Sequence, residues 1–142
     1  MKKSIYTFFL LAIMISACDK IYINGDLDGM WKLQKVENIS DATVEYPQEI
    51  FYSFQRNLTF ISKQNETDTP LRYLGNMYYS KEENCVTING LRNFPNEQYV
   101  ATLNDLKQFM IYDTDLIFNI ITLDNKQLIM ECGGYRYCLI RW

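Results

Sequence analysis

Apolar and polar side chains alternate through most of the chain after Gly29, which is the pattern of strands with one buried and one exposed face. Trp31 and Leu33, for example, share one face of the first such run. Short polar or glycine-containing segments, such as the glycine pair at 133–134, separate one run from the next. The pattern predicts eight strands, at residues 30–36, 50–61, 71–79, 84–89, 99–101, 116–123, 127–132 and 135–141.

Turn-forming residues set the expected breaks in this pattern. The second strand is expected to bend or to be interrupted near Arg56-Asn57, where two polar residues divide an apolar run. Residues 64–70 are polar throughout and are predicted to form a loop. Asn89-Gly90 has the composition of a tight hairpin turn, so a turn is predicted there as well.

One short helix is predicted between the strands. Thr102 and Asp105 have the spacing of a capping box, in which each side chain bonds to the other residue's backbone N–H. Leu106, Phe109 and Met110 follow at intervals that place them on one helical face. This is the single helix expected after residue 28.

These elements predict an all-β fold, an eight-stranded antiparallel up-and-down barrel with one short helix. Closing the sheet into a barrel removes both unpaired edges, which otherwise expose backbone hydrogen-bonding groups. A sandwich of two sheets is the structural alternative. The aromatic content of 15% favours strands over helices.

The amino-terminal residues predict export and lipidation. Lys2 and Lys3 precede an apolar run at 5–17 that is too short to span a bilayer but has the form of a secretory signal. Ile15 does not suit the small-residue site of the general signal peptidase, whereas Ile15-Ser16-Ala17-Cys18 resembles a lipobox. We therefore expect a signal peptide at 1–17, a diacylglyceryl and palmitate anchor on Cys18, a tether at 18–28 and one domain at 29–142.

Charge and size narrow the expected partners. Cleavage removes two of the 14 basic residues and none of the 17 acidic ones, so the net charge falls from −3 to about −5. An acidic domain does not suit nucleic acid, because phosphate binding depends on Lys and Arg. We expect a monomer held to a membrane by its lipid, on the periplasmic or the surface face of the outer membrane.

The chain contains no histidine, which limits its chemistry. Ser-His-Asp and Cys-His catalysis, His-ligated zinc and proximal-His haem all require that residue. No catalytic constellation, cofactor or metal is predicted. The paired carboxylates Glu82-Glu83 and Asp113-x-Asp115 leave a hydrolase as a remote alternative, although both pairs have the character of solvated turn charges.

Three cysteines remain beyond Cys18, namely Cys85, Cys132 and Cys138, so at least one thiol is unpaired within a monomer. A two-residue turn at Gly133-Gly134 would pair Cys132 with Tyr135 and leave Cys138 three residues out of register, too far for a disulfide. A wider loop would bring the two thiols together. Buried free thiols are the default expectation, with the disulfide as the alternative.

Residues 24–29 resemble the start of an EF-hand loop. Asn24, Asp26, Asp28 and Gly29 match its first ligand positions and its glycine, but position twelve falls on Lys35 instead of a glutamate. A cation there would repel calcium. We expect a turn leading into the first strand, and no metal site.

Gly29-Met30-Trp31 matches the G-x-W signature of lipocalins and other calycins, and the chain resembles the lipocalin-like lipoproteins of Bacteroidetes. In that family the tryptophan closes the bottom of the barrel and stacks on an arginine of the last strand. The resemblance implies a structural, barrel-closing role for Gly29, Trp31 and Arg141, with Arg136 as the weaker candidate for the arginine. Such a contact contributes about 0.5–2 kcal/mol.

Two functions follow from a barrel of this size, because eight strands either hold one small ligand or are filled by their own side chains. The expected function is that of a hollow barrel, a binding module for a small apolar or amphipathic molecule at residues that the sequence does not identify. The alternative to a ligand site is that Phe51, Phe60, Tyr78, Met130 and their neighbours simply fill the core. The second function is a protein-interaction or inhibitor module with a solid core. The second case predicts exposed aromatic side chains at Tyr78-Tyr79 or at 135–137.

Overall fold

The computed structural model describes residues 22–64 and 70–142. The signal peptide and Cys18 predicted above lie outside these residues. Strands dominate the described part, with one short α-helix and a 3₁₀ turn at Gly25–Leu27. The elements are β1 (Gly29–Asn38), β2 (Val44–Glu45), β3 (Ile50–Gln55), β4 (Leu58–Lys63), β5 (Leu71–Ser80), β6 (Cys85–Asn93), α1 (Leu103–Lys107), β7 (Ile117–Leu123), β8 (Gln127–Cys132) and β9 (Tyr135–Arg141).

Eight of these strands close into one antiparallel barrel. The order runs β1-β3-β4-β5-β6-β7-β8-β9, and β9 pairs with β1 to complete the ring. The ninth strand, β2, pairs only with the far end of β1, where Val36 lies opposite Glu45. The predicted eight-stranded barrel is therefore confirmed, and the sandwich alternative is not observed.

The predicted second strand is wrong in its connectivity. Residues 50–61 form the hairpin β3-β4, in which Gln55 pairs with Leu58 across a two-residue turn. Arg56 takes a φ of 57°, the left-handed conformation that such a tight turn requires. Arg-Asn lacks the glycine that usually marks this turn, so the sequence indicated a bend in one strand instead of a reversal.

A second difference keeps the number of barrel strands at eight, although residues 50–61 provide two strands instead of one. The predicted strand at 99–101 is not part of the barrel, because Val100 forms only an isolated bridge to Arg92. The turn predicted at Asn89-Gly90 is also wrong, since both residues lie inside β6. Gly90 has a φ of 61° beside a shift in the β5–β6 register, so this Asn-Gly pair forms a bulge that bends the strand.

Aromatic side chains fill the barrel interior. The rings of Tyr52 and Phe118 meet edge to face at 6.5 Å, and those of Phe118 and Tyr137 at 5.5 Å, in the range of favourable aromatic contacts. These three side chains rise from β3, β7 and β9 and meet across the barrel. The largest fully buried residues are Trp31, Tyr52, Tyr137, Phe54, Phe109, Phe118, Leu27, Leu33, Ile50, Ile61, Ile111 and Leu128.

The capping box predicted at the helix is confirmed. The hydroxyl of Thr102 accepts a hydrogen bond of 3.3 Å from the Asp105 N–H, and the Asp105 carboxylate accepts one of 2.7 Å from the Thr102 N–H. The predicted apolar face is present, with Leu106 and Phe109 buried and Met110 partly buried. Within the described residues, no helix has the length and apolar character that crossing a membrane requires.

Candidate functional site

The barrel has two different ends. The cap end contains the 3₁₀ turn Gly25–Leu27 and the β3–β4, β5–β6 and β7–β8 turns. The mouth end contains the mouth segment (residues 102–112), which includes α1, and the β8–β9 turn at 133–134. A ligand would enter an open barrel of this kind at one of its ends, so the closure of each end determines what the protein can bind.

The cap end is closed by residues that the sequence analysis placed in the tether. Leu27 is fully buried, and its carbonyl accepts a hydrogen bond of 2.9 Å from the indole Nε1 of Trp31. Asn24 extends the closure, because its side-chain amide donates to the Asp28 carboxylate and to the Arg56 carbonyl, both at 2.7 Å. Residues 24–28 are thus part of the folded barrel.

Arg141 completes the cap end. Its guanidinium carbon lies 3.9 Å from the centroid of the Trp31 ring. The same group donates hydrogen bonds to the carbonyls of Asp28, at 2.7 Å, and Asp26, at 2.5 Å. The structure therefore brings Trp31 and Arg141 together, whereas Arg136, the weaker candidate, pairs with Glu131.

Gly29 is placed where a side chain does not fit. Its φ of 134° lies in a region that L side chains rarely adopt. A Cβ at this position would also collide with the Arg141 guanidinium. The first and third residues of the G-x-W motif thus serve one arrangement, in which Gly29 leaves room for the arginine that covers Trp31.

The residues that resemble an EF-hand start are used in this closure. The Asp28 carboxylate accepts from both the backbone and the side chain of Asn24, at 3.1 and 2.7 Å. Among the described residues, no group of three or more carboxylate or thiol side chains is arranged to hold a metal ion. The loop is a turn leading into β1, as expected.

At the mouth end, the mouth segment crosses the opening. Phe109 is fully buried, and its ring lies 5.5 Å from that of Tyr73 on β5. The Tyr52 hydroxyl donates to the Phe109 carbonyl at 3.4 Å, and the Tyr137 hydroxyl donates to the Met110 carbonyl at 3.0 Å. Two interior tyrosines, on the two barrel strands that flank β1, therefore hold the backbone of this segment.

Tyr112 secures the far side of the mouth segment. Its ring stacks on that of Tyr135 at 4.3 Å, and its hydroxyl donates a hydrogen bond of 2.9 Å to the Glu45 carboxylate on β2. Burial and the neighbouring Glu45 raise the pKa of Tyr112 to about 12. The extra strand β2 thus provides the acceptor that fastens the mouth segment to the outside of the barrel.

The interior tyrosines are not placed for proton transfer. Burial, reinforced by the neighbouring Tyr137 and Cys132, raises the pKa of Tyr52 well above its usual value. Burial likewise raises the pKa of Tyr137. A general acid or base works best with a pKa near the ambient pH. These phenols therefore stay protonated and serve as hydrogen-bond donors to the mouth segment.

The three cysteines that the structure describes, Cys85, Cys132 and Cys138, are free thiols. Cys132 pairs with Tyr135 and Cys138 lies opposite Ile129, which is the register that a two-residue turn at 133–134 requires. The disulfide alternative is therefore not formed. Burial and the nearby Asp113 raise the pKa of Cys132 to about 11, so this thiol is protonated and unreactive at neutral pH.

The acidic pairs lie at opposite ends of the barrel. Glu82 and Glu83 belong to the β5–β6 turn at the cap end, whereas Asp113 and Asp115 precede β7 near the mouth end. The Asp113 carboxylate accepts from the Asp115 N–H at 3.0 Å, an ordinary turn contact. The structure does not bring the two pairs into one site.

Three open grooves surround the 3₁₀ turn at the cap end, with volumes of about 460, 610 and 410 Å³. Each of them is lined in part by Asn24 or Gly25. Tyr22, Met30 and Trp142 line the largest. Sequence reasoning missed these grooves, because they lie between elements that are distant along the chain.

The expected exposed aromatic side chains are present only in part. Tyr78 is 67% exposed, whereas Tyr137 is 1% exposed and Tyr135 is half-buried in its stack with Tyr112. Met130 fills the core as expected, but Tyr78 does not. The alternation in β9 places Tyr137 on the same face as Leu139, and this signal could have identified it as an interior residue.

Comparison with known proteins provides a family and a fold. A family model described as a lipocalin-like domain matches residues 13–142. The chain is similar to a lipocalin-like protein from Bacteroides uniformis, with 19% identity and a TM-score of 0.65 over 83% of this chain and 100% of that chain. It is also similar to an uncharacterised protein from Bacteroides eggerthii, with 18% identity and a TM-score of 0.61 over 82% of this chain and 99% of that chain. No curated protein matches the sequence significantly.

Proposed function

We propose, from the premise that this chain belongs to the lipocalin-like domain family, that it is an envelope lipoprotein whose solid barrel binds a protein partner through its outer surface. The observation that carries this proposal is the filled interior. Trp31, Tyr52, Phe118 and Tyr137 occupy the barrel, and Phe109 occupies its mouth. Ligand sites for small molecules usually require about 300–1,000 Å³ of enclosed space.

The polar groups of the interior support the same conclusion. The hydroxyls of Tyr52 and Tyr137, which would orient a ligand in a hollow barrel, are occupied by the carbonyls of Phe109 and Met110. A ligand would have to replace both hydrogen bonds and the buried Phe109 ring. Since leaving a buried polar group unpaired costs about 1–3 kcal/mol, this replacement is unfavourable for an apolar molecule.

The orientation of the barrel determines which surface is available to a partner. The proposed anchor at Cys18 precedes the cap end, so the mouth end faces away from the membrane. Tyr46 and Tyr99 are exposed on loops at the mouth end, with Val100 beside Tyr99. Exposed tyrosines are common at binding surfaces, because they provide a large contact area and one polar group.

Ligand-dependent stability tests the filled interior. We expect the melting temperature of the purified protein to stay constant across a panel of fatty acids, bile acids and haem. A binding ligand would raise the stability by RT ln(1 + [L]/Kd), or about 2.7 kcal/mol at a hundredfold excess over Kd. A saturable rise with any apolar ligand would contradict the solid barrel. Mass spectrometry that finds Cys18 without acyl chains would contradict the anchor.

Crosslinking in cells tests the partner surface. A photoreactive phenylalanine analogue at Tyr99 or Tyr46 is expected to capture one discrete protein. The same analogue at Asn76, which is exposed on the outer wall in β5, serves as the matched control. Equal labelling from all three positions would count against a binding surface at the mouth end.

A second candidate is a carrier that opens at the mouth end. It is favoured by one observation, namely that the connection between β6 and β7 crosses the mouth and inserts the fully buried side chains of Phe109 and Ile111. Displacement of the mouth segment would free the space of these side chains for an apolar ligand. The stability panel separates the two candidates, because a carrier gains stability from its ligand.

A further inference from the structure

Exposed apolar side chains surround the cap end as well as the mouth end. Trp142 is 65% exposed and Tyr78 is 67% exposed, which is unusual for such large rings. Four smaller or less exposed side chains accompany them. We define the apolar ring as the six exposed residues Tyr22, Ile23, Met30, Tyr78, Ile121 and Trp142.

The apolar ring surrounds the 3₁₀ turn. Tyr22, Met30 and Trp142 line the largest groove, Ile23 and Tyr78 the second, and Ile121 the third. The grooves adjoin one another, because Asn24 lines two of them and Gly25 lines two. The six side chains therefore lie around one end of the barrel, with the Trp142 ring packed against Phe51 on the adjoining outer wall.

Trp142 is held in place at this end. Its backbone N–H donates to the Met30 carbonyl at 2.9 Å, and its ring meets that of Phe51 edge to face at 5.3 Å. The Lys32 ammonium lies 4.8 Å from the same ring, and Lys32 is itself paired with Glu49 at 2.6 Å. Phe51 and Lys32 thus hold the exposed indole in one orientation, so it is ready for contact without further ordering.

The position of Cys18 indicates what covers the apolar ring. This residue precedes Tyr22 by four positions, and four residues reach at most about 14 Å when fully extended. Acyl chains on Cys18 would therefore hold the cap end within that distance of the lipid headgroups. Tyrosine and tryptophan are the side chains enriched at this depth, because each has an apolar body and a polar group.

We propose that the apolar ring rests on the headgroup layer of the bilayer that holds Cys18, so that the barrel stands on the membrane on its cap end. This proposal relies on the lipid anchor of the proposed function. The grooves contain both signs of charge, with Asp26 and Lys81 in one groove and Arg56 in another. Apolar contact therefore drives the association, and neutral lipids suffice.

The two tryptophans provide the test, because the chain has one in each environment. Trp31 is fully buried beneath Arg141, whereas Trp142 is in the apolar ring. The full lipidated protein, purified from its membrane, is inserted into phosphatidylcholine vesicles whose acyl chains carry bromine near the headgroup. We expect Trp142 to emit at shorter wavelength, in either kind of vesicle, than an indole in water. We also expect its intensity to be lower in the brominated vesicles than in vesicles without bromine.

The variant Trp142→Phe is the matched control. It leaves Trp31 as the sole tryptophan, and the tryptophan emission should be equal in the two kinds of vesicle. The double variant Tyr78→Ser/Ile121→Ser should keep the melting temperature of the wild type, since both side chains are exposed, and should reduce the bromine effect on Trp142.

Vesicle flotation distinguishes a failure of the apolar-ring contact from a failure of the lipid anchor on Cys18. A protein that floats with the vesicles while Trp142 stays unquenched would overturn the contact of the apolar ring and leave the anchor intact. That outcome would assign the ring to another occupant, such as a partner protein. A protein that does not float, and whose Cys18 has no acyl chain by mass spectrometry, would overturn the anchor and the contact together.

Discussion

The hydroxyl of Tyr137 donates a 3.0 Å hydrogen bond to the carbonyl of Met110, and this contact joins the barrel interior to the segment that closes its mouth. Tyr137 is 1% exposed, so the phenol has exchanged water for one backbone acceptor. The Met110 carbonyl belongs to a residue in the left-handed conformation, with a φ of 64°. A substitution at Tyr137 therefore reports on how firmly the mouth is closed.

The first prediction concerns this hydrogen bond. Tyr137→Phe removes the donor and leaves the part-buried Met110 carbonyl without this partner, so we expect a loss of about 1–3 kcal/mol in the free energy of unfolding. Urea denaturation followed by circular dichroism measures the loss. Tyr46→Phe, at a residue that is 75% exposed, should change the stability by less than about 0.5 kcal/mol. Equal stability of Tyr137→Phe and the wild type would show that the mouth is not held by this bond.

The second prediction concerns the cap end. Arg141→Ala removes the stacking on Trp31 and the two hydrogen bonds to the carbonyls of Asp26 and Asp28, and we expect a loss of about 1–3 kcal/mol. Arg141→Lys should recover little of it, because an ammonium lacks the planar fork that reaches both carbonyls. Chemical denaturation of both variants tests this, with Arg72→Ala, at an exposed position in β5, as the control. Full recovery by lysine would indicate that charge alone is important here.

A third prediction concerns Thr59, which is fully buried in β4 with an unpartnered hydroxyl. Thr59→Val replaces this group with a methyl of similar size, and we expect a gain of about 1 kcal/mol in stability. The melting temperature by calorimetry checks the sign. Thr87→Val, at a partly exposed position in β6, should change it far less. A destabilised Thr59→Val would imply that the hydroxyl has a polar partner.

A fourth prediction concerns alkaline pH. Burial raises the pKa of Tyr52 well above 10.0 and that of Cys132 from 9.0 to about 11, while both groups have ordinary values in the unfolded chain. Above about pH 9 the unfolded chain loses these protons before the folded one, so stability is full below that pH and falls as the pH rises. The urea midpoint measured from about pH 8 to 11 should decrease, and less steeply in Cys132→Ala. A midpoint independent of pH would contradict the buried, protonated state of these groups.

Local sequence signals predicted the elements that depend on neighbouring residues. The capping box at Thr102 and Asp105 and the register of Cys132 against Tyr135 required only short-range spacing, and both were predicted correctly. The barrel followed from alternation, since strands with one apolar face must bury it together. The proximity of Trp31 and Arg141 was inferred from a family motif, not from spacing.

The sequence-based predictions were wrong where contacts between distant parts of the chain determine the local structure. Arg56-Asn57 reverses the chain without a glycine, because pairing between β3 and β4 stabilises the left-handed Arg56. An Asn-Gly pair suits a bulge as well as a tight turn, so the composition of Asn89-Gly90 does not distinguish the two. The pairing of β6 with β5 determines that it forms a bulge. The position of Phe109 in the mouth depends on hydrogen bonds from Tyr52 and Tyr137 to the backbone of the mouth segment, and both tyrosines are distant along the chain.

The central claim is that the barrel is closed by its own side chains, and Phe109 is the residue that tests it most directly. Phe109→Ala should cost about 3–5 kcal/mol and leave a cavity at the mouth end. Titration with a fluorescent fatty acid compares the variant with the wild type under conditions where both are folded, with Tyr46→Ala as the exposed control. We predict no saturable binding by the wild type or the control, and saturable binding by Phe109→Ala. Saturable binding by the wild type, with affinity equal to that of Phe109→Ala, would contradict a barrel filled by its own residues.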